Sequence, residues 1–269
     1  MIELTFATGG SQGPPAEGLS AIPAKAFIQM IAPRTLLAAI VIGLASLFGH
    51  VAASSAQQIP VTAIDVALEP DAMMIQHAKA NNNRLRKVYP DGFTLDATHN
   101  PHITMLQQFV PTADLDKVYT ALANALADEK PTGWKLKAFK YYYIPMPPLG
   151  VAGIVVEPTP DLDRLQQKII DAVAPFALKS GTAAAFMSTE EGRDIQGLLL
   201  DYVANFVQIG AGKKFNPHVT TGVANEAYLK EMLAEPFNAF TFSPVSVSVY
   251  QLGTYGTARK ELKVLSLKP

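Results

Sequence analysis

The pentapeptide NPHIT at Asn100–Thr104 returns as NPHVT at Asn216–Thr220. Only the β-branched apolar residue changes between the copies, and the repeated histidine belongs to a type the chain uses just 5 times. A repeat kept for packing would preserve its apolar residue and let the polar ones drift. Here the polar residues stay. A chain that writes this phrase twice needs a fold with two equivalent strands to hold it.

The flanking sequence repeats too. VTAIDVALEP (Val61–Pro70) reads as a strand, and Asp71 as the cap of a helix running to about Lys87. VAGIVVEP (Val151–Pro158) reads as a second such strand, followed through Thr159, Pro160 and Asp161 by the helix DLDRLQQKIIDAVAPF. Each NPHxT opens an apolar run. After the first comes a helix starting at Thr112/Asp114, with Leu115, Val118, Leu122 and Leu126 at helical spacing, then a long strand over Trp134–Ile144. The Pro-rich connection PMPPLG follows that strand. After the second motif come a short helix (NEAYLKEMLAEPF), a long strand (FTFSPVSVSVYQLG) and a final strand (ELKVLSL). An insertion over Thr189–Ile209, read as helical, enlarges the second copy and would cover the cleft or set substrate size. The expected fold is α+β and bilobal: two mostly antiparallel sheets, helices outside, and a central cleft on a pseudo-two-fold axis.

Such an axis brings equivalent positions together. In a strand, residues i and i+2 share a face, so His102 projects with Thr104 and His218 with Thr220. Ile103 and Val219 then point into the core. The proline before each histidine disfavours helix and removes a ladder donor, as suits a strand beginning at a cleft rim. Two imidazoles facing one cleft divide acid and base duties near neutral pH, and two hydroxyls hydrogen-bond a phosphate held between them. Phosphodiester cleavage is the natural reaction for that set, through positioning and charge stabilisation.

The duplicated PHxT pattern, each copy followed by an apolar strand and a helix, resembles the 2H phosphoesterase family. That family includes 2′,3′-cyclic phosphodiesterases and bacterial 2′-5′ RNA ligase-like proteins. The resemblance covers most of Ile59–Leu267, including the Gly-containing connection GTYGTARKEL near the end. It implies a bilobal fold and a hydrolase that cuts cyclic phosphates or short 2′-linked oligonucleotides with no metal or cofactor, ligation being at most a side activity. By motif position it makes His102 and His218 the acid/base pair and Thr104 and Thr220 the phosphate ligands. Which histidine is the base stays open, as does a second reading as a nucleotide- or phosphate-binding protein with little catalysis.

Composition bounds the rest. The segment from Met30, with Arg34 and an apolar run over Leu36–Phe48, reads as an export signal ending near Ala56. The run is shorter than the roughly 20 residues of a permanent span. Residues 1–29 are Gly/Pro/Ser-rich and aperiodic, which suggests translation from Met30. The expected division is therefore an upstream extension and signal over 1–56, then one bilobal domain over 57–269. Its lobes, roughly 57–150 and 151–269, are interleaved. The expected location is periplasmic or secreted, which fits poorly with intracellular RNA processing, and the expected state is a monomer with no stable membrane insertion after signal removal. No cysteine is present, which excludes disulfides, a lipid-anchored cysteine and thiolate chemistry. A net charge of −1 offers no basic footprint for a long duplex, so the partner is a nucleotide or short RNA.

Other residues have plainer readings. His99 reads as a surface turn residue, with approach to the cleft as the alternative, while His77 and His50 read as incidental. A zinc site from His99, His102 and His218 would leave both threonines without a purpose. Lys213 and Lys214 read as solvated charges, with attraction of a phosphate as the alternative. Phe215 and Tyr250 read as core, with base stacking as the alternative. Tyr141–Tyr143 reads as a strand with alternating faces.

Overall fold

A computed structural model describes residues 59–187, 195, 197–265 and 267. The export signal expected near Met30–Ala56 lies outside them, as does the start of the 189–209 insertion. Eight strands form one antiparallel sheet in the order β6-β3-β4-β5-β2-β1-β7-β8. They are β1 (Val61–Pro70), β2 (Ile103–Pro111), β3 (Leu136–Met146), β4 (Leu149–Val156), β5 (His218–Asn225), β6 (Phe240–Phe242), β7 (Pro244–Leu252) and β8 (Ala258–Leu265). The helices are α1 (Ala72–Val88), α2 (Leu115–Ala125), α3 (Pro160–Val173), α4 (Gly197–Gly210) and α5 (Glu226–Ala234).

Capping explains where the two matching helices start. The Asp71 carboxylate accepts from the amides of Met73 and Met74 at the head of α1. Thr159 Oγ1 accepts from the Leu162 amide at the head of α3, where Pro160 occupies the first turn. Each cap contributes about 1 kcal/mol. The amphipathic α3 buries Leu162, Leu165, Ile169 and Val173 on one face. These join Ile103 and Val219, both fully buried, in the main core. Full burial of an aliphatic side chain of that size stabilises by about 1.5–3 kcal/mol.

The two expected sheets are the two halves of this one sheet, β2-β1-β7-β8 and β5-β4-β3-β6. Only one residue pair joins them: Ile103 of β2 with Val219 of β5. The position that varies between the two pentapeptides is thus where the copies meet. The halves exchange their third strands, since β3 pairs with β4 and β7 returns to pair with β1.

Two details differ from expectation. The segment read as one long strand over 240–253 breaks at Ser243, so that β6 pairs with β3 while β7 crosses to the other half. Asp71 holds the break: its amide donates to the Ser243 carbonyl at 2.8 Å, and its carboxylate accepts from the Ser243 amide at 2.8 Å. Pro244, lacking an amide proton, cannot continue the ladder. The Pro-rich connection is also shorter than it reads, because β3 and β4 stay paired out to Met146 and Leu149 and leave only Pro147 and Pro148 as the turn. Among the described residues, no helix is long and apolar enough to cross a membrane.

Candidate active site

Each HxT strand carries an extra residue just after its threonine. Ala67 pairs with Thr104 but Val66 with Leu106, which leaves Met105 bulged. Gly153 pairs with Thr220 but Ala152 with Gly222, which leaves Thr221 bulged. Bulges re-aim side chains and expose backbone groups that then need partners. Helix amides supply them: Gln166 of α3 donates to the Met105 carbonyl at 3.2 Å, and Asn82 of α1 to the Thr221 carbonyl at 2.8 Å. Asn81 adds a 2.8 Å bond to the Thr221 hydroxyl. Each half of the sheet is thereby pinned by a buried amide from a helix.

Antiparallel pairing centred on Ile103 and Val219 sets the two HxT segments side by side with their polar residues on one face. All four expected site residues, His102, Thr104, His218 and Thr220, line a single cleft of about 470 Å³. Gly153 makes room for His218, since a Cβ there would sit 3.3 Å from the ring and 3.1 Å from the Val219 carbonyl.

Both imidazoles are oriented by the asparagine of their own motif. His102 Nδ1 lies 2.6 Å from the Asn100 carbonyl, and His218 Nδ1 lies 2.7 Å from that of Asn216. A carbonyl only accepts, so Nδ1 carries a proton in both rings and Nε2 faces the cleft. The asparagine side chains are held in turn by tyrosines on the third strands. Asn100 donates to the Tyr250 hydroxyl at 2.9 Å, and Asn216 is hydrogen-bonded to Tyr142. The Tyr250 hydroxyl donates to the Glu69 carboxylate, which also accepts from Ser246 at 2.7 Å.

Beyond this the two sides differ. Behind His102 lies Asp65 of β1, fully buried. Its Oδ2 accepts from the Thr104 hydroxyl at 3.0 Å and from the Gln107 amide at 2.8 Å, and stands 3.4 Å from His102 Nε2. Thr104 has one proton and gives it to Asp65, so the 3.2 Å contact between Thr104 Oγ1 and His102 Nε2 needs a proton on the ring. The geometry therefore favours the doubly protonated imidazolium at His102. Its pKa agrees: burial, the largest influence, lowers it, but the Asp65 carboxylate, the Asn100 carbonyl and Glu69 together raise it, and the net direction is up. For His218 burial also lowers the pKa, the Asn216 carbonyl and Asp65 raise it, the charge on His102 lowers it again, and the net direction is down. His218 is the neutral ring, with the Nε2 lone pair open to the cleft.

The two threonines are likewise inequivalent. The Thr104 proton is committed to Asp65, whereas the Thr220 hydroxyl makes no side-chain hydrogen bond among the described residues. His99 closes a turn, its amide donating to the Asp96 carbonyl, but not at the surface: it approaches the cleft, buried in its wall, stacked on Phe93 at 5.2 Å, with Arg259 Nη1 3.1 Å from its Nε2. His77 stacks on Phe240 at 3.7 Å. Lys214 and Phe215 line the cleft, while Lys213 is exposed and Tyr250 is core. Among the described residues, no three His, Cys, Asp or Glu side chains group as a metal site. The side chains that sequence reasoning missed are Asp65, Gln107, Tyr142 and Tyr202. Tyr202 comes from α4, and its hydroxyl is pushed up to about 12 by burial and then by Tyr142 and Asp65, so it stays a neutral donor.

Comparison with known proteins gives the family. The family model described as the 2′-5′ RNA ligase superfamily matches residues 70–259. Among solved structures, TT0787 of Thermus thermophilus is 17% identical over 77% of this chain and 98% of its own, with a TM-score of 0.47. E. coli LigT complexed with 3′-AMP is 16% identical over 78% and 99%, with a TM-score of 0.44. Usb1 of Kluyveromyces marxianus is 10% identical over 77% and 98%, with a TM-score of 0.37. No curated protein sequence matches the chain. With the model spanning both HxT motifs and strands β2 to β7, the chain belongs to the 2′-5′ RNA ligase superfamily, within the 2H phosphoesterases that its paired motifs resemble.

Proposed function

We propose that the protein is a phosphodiesterase that opens 2′,3′-cyclic nucleotide phosphates or cuts short 2′-linked oligonucleotides, with His218 as general base and His102 as general acid. The observation that carries the reading is the unequal surroundings of two histidines on one cleft: His102 Nε2 stands beside Asp65 and Thr104, whereas His218 Nε2 makes no hydrogen bond among the described residues. Membership of the superfamily supports the reaction class.

The chemistry follows from the donors. A phosphodiester lies between the two rings. His218 Nε2 takes a proton from water as its oxygen bonds to phosphorus. The bond from phosphorus to the 2′- or 3′-oxygen breaks, and His102 Nε2–H protonates the leaving oxygen. The Thr220 hydroxyl donates to a non-bridging oxygen, and Thr104 joins it by exchanging Asp65 for phosphate. Asp65 acts through His102 and is a positioning residue. General acid–base catalysis of this kind contributes about 10²- to 10⁴-fold for each group.

The test is incubation of the protein, with chelator present, with 2′,3′-cyclic nucleotides and a 2′-5′-linked dinucleotide, followed by phosphorus NMR. Turnover that disappears in His102→Ala and in His218→Ala is the expected result. Tight nucleotide binding with no turnover would replace this reading with that of a nucleotide-binding protein.

A further inference from the structure

We propose that the substrate at this cleft carries a single phosphodiester and an aliphatic arm lying along α4, an inference that rests on the phosphodiesterase reading above. The helix turns Leu198, Leu199, Tyr202 and Ile209 toward the cleft, and Ile144 and Met146 of β3 line it as well. Leu198 is 73% exposed and Ile209 45% exposed, so the wall holds large apolar side chains in water. Covering them is favourable, and a molecule in the cleft reaches this face.

Charge points the same way. Apart from histidines, the one cationic side chain lining the cleft among the described residues is Lys214, whose Nζ is bonded to the Gln208 carbonyl at 2.8 Å. The buried Asp65 offsets the charge of His102. That is provision for one phosphate and not for a run of them, which would call for a basic track. The α4 wall also offers a single polar side-chain group, the Tyr202 hydroxyl, too little to read the edge of a base. An arm without polar edges fits it better than a second nucleotide does.

The experiment compares a 2′,3′-cyclic nucleotide, a 2′-5′ oligonucleotide and cyclic phosphates of 1,2-alkanediols of increasing chain length. Calorimetry of n-alkyl phosphates binding to the same protein runs beside the kinetics. The expected kcat/KM rises about three- to fourfold per added methylene until the arm spans the helix. Affinity for the alkyl phosphates rises in step, and Leu198→Ser and Ile209→Ser flatten both slopes. Turnover of the cyclic nucleotide with no dependence on chain length in either measurement would overturn the aliphatic arm and leave the phosphodiesterase reading intact. Affinity rising with chain length while no phosphodiester is turned over would do the reverse. A 2′-5′ oligonucleotide that outperforms every alkyl substrate would also overturn the arm.

Discussion

The two halves of the sheet share a backbone plan and differ in charge. Counted from the central Ile103–Val219 pair, Ala67 matches Gly153, and each precedes the same bulge in its partner strand. Two residues earlier, Asp65 on one side matches Val151 on the other, and their pairing partners are Gln107 and Val223. Two residues later, Glu69 matches Val155. The first half therefore places acids and an amide where the second places valine. Duplication gives two histidines the same reach into one cleft, and the buried polar residues of one half make them different. In the proposed reaction, symmetric geometry supplies position, and unsymmetric charge supplies the division of labour between acid and base.

Breaking that comparison outright has the largest effect. His218→Ala removes the neutral ring and His102→Ala the protonated one, and each is expected to lower kcat by about 10²- to 10⁴-fold in steady-state assays of cyclic nucleotide hydrolysis. Equal loss in both variants supports paired duties, while full activity in either removes that histidine from the mechanism.

Next is Asp65→Asn, which keeps shape and removes charge. The loss of a charge-assisted contact to His102 is expected to lower kcat/KM about 10- to 100-fold above neutral pH. The sign follows from the shifts. His218 must be neutral, which holds above its lowered pKa, and His102 must be protonated, which holds below its raised pKa. The pH–rate profile is a bell spanning the ordinary histidine value, and the variant moves its alkaline limb to lower pH and its acid limb the same way by less, since Asp65 raises His102 by contact and charge but His218 by charge alone. If His102 were the base, the substitution would instead raise activity near neutrality by freeing that ring of its proton.

Gln107→Val copies the second half into the first. It removes the 2.8 Å bond to Asp65 but not the carboxylate, so the bell should keep its shape while chemical denaturation gives a stability loss of about 1 kcal/mol. Gly153→Ala is the mildest change. Its Cβ crowds His218 and the Val219 carbonyl, and a severalfold fall in kcat with unchanged pH limbs is expected.

Much of this arrangement is legible in the chain. The paired motifs, the strand before each, the caps at Asp71 and Thr159, and the inward Ile103 and Val219 all follow from period and local chemistry. The exchange of third strands is not legible, because β3 and β7 have the same alternating character and either could pair with either first strand. Nor is the break at Ser243, which depends on a long-range bond to Asp71. Asp65 did leave a signal, a lone carboxylate in the middle of an apolar strand, answered by a glutamine in the next one. The repeated asparagine was a second unused signal, since its carbonyl sets each ring and its side chain reaches a tyrosine. What hid them was that their side-chain partners lie tens of residues away, where local patterning has no reach.

The most direct test of the central claim is a nitrogen-15 NMR titration of the histidine rings in the whole protein and in Asp65→Asn, with His102 and His218 assigned by substitution. The account predicts that His102 keeps both ring protons to a pH above the ordinary histidine range and that His218 loses its Nε2 proton below it. Asp65→Asn then lowers the His102 titration. Two rings titrating together, or His218 holding its proton to the higher pH, would contradict it.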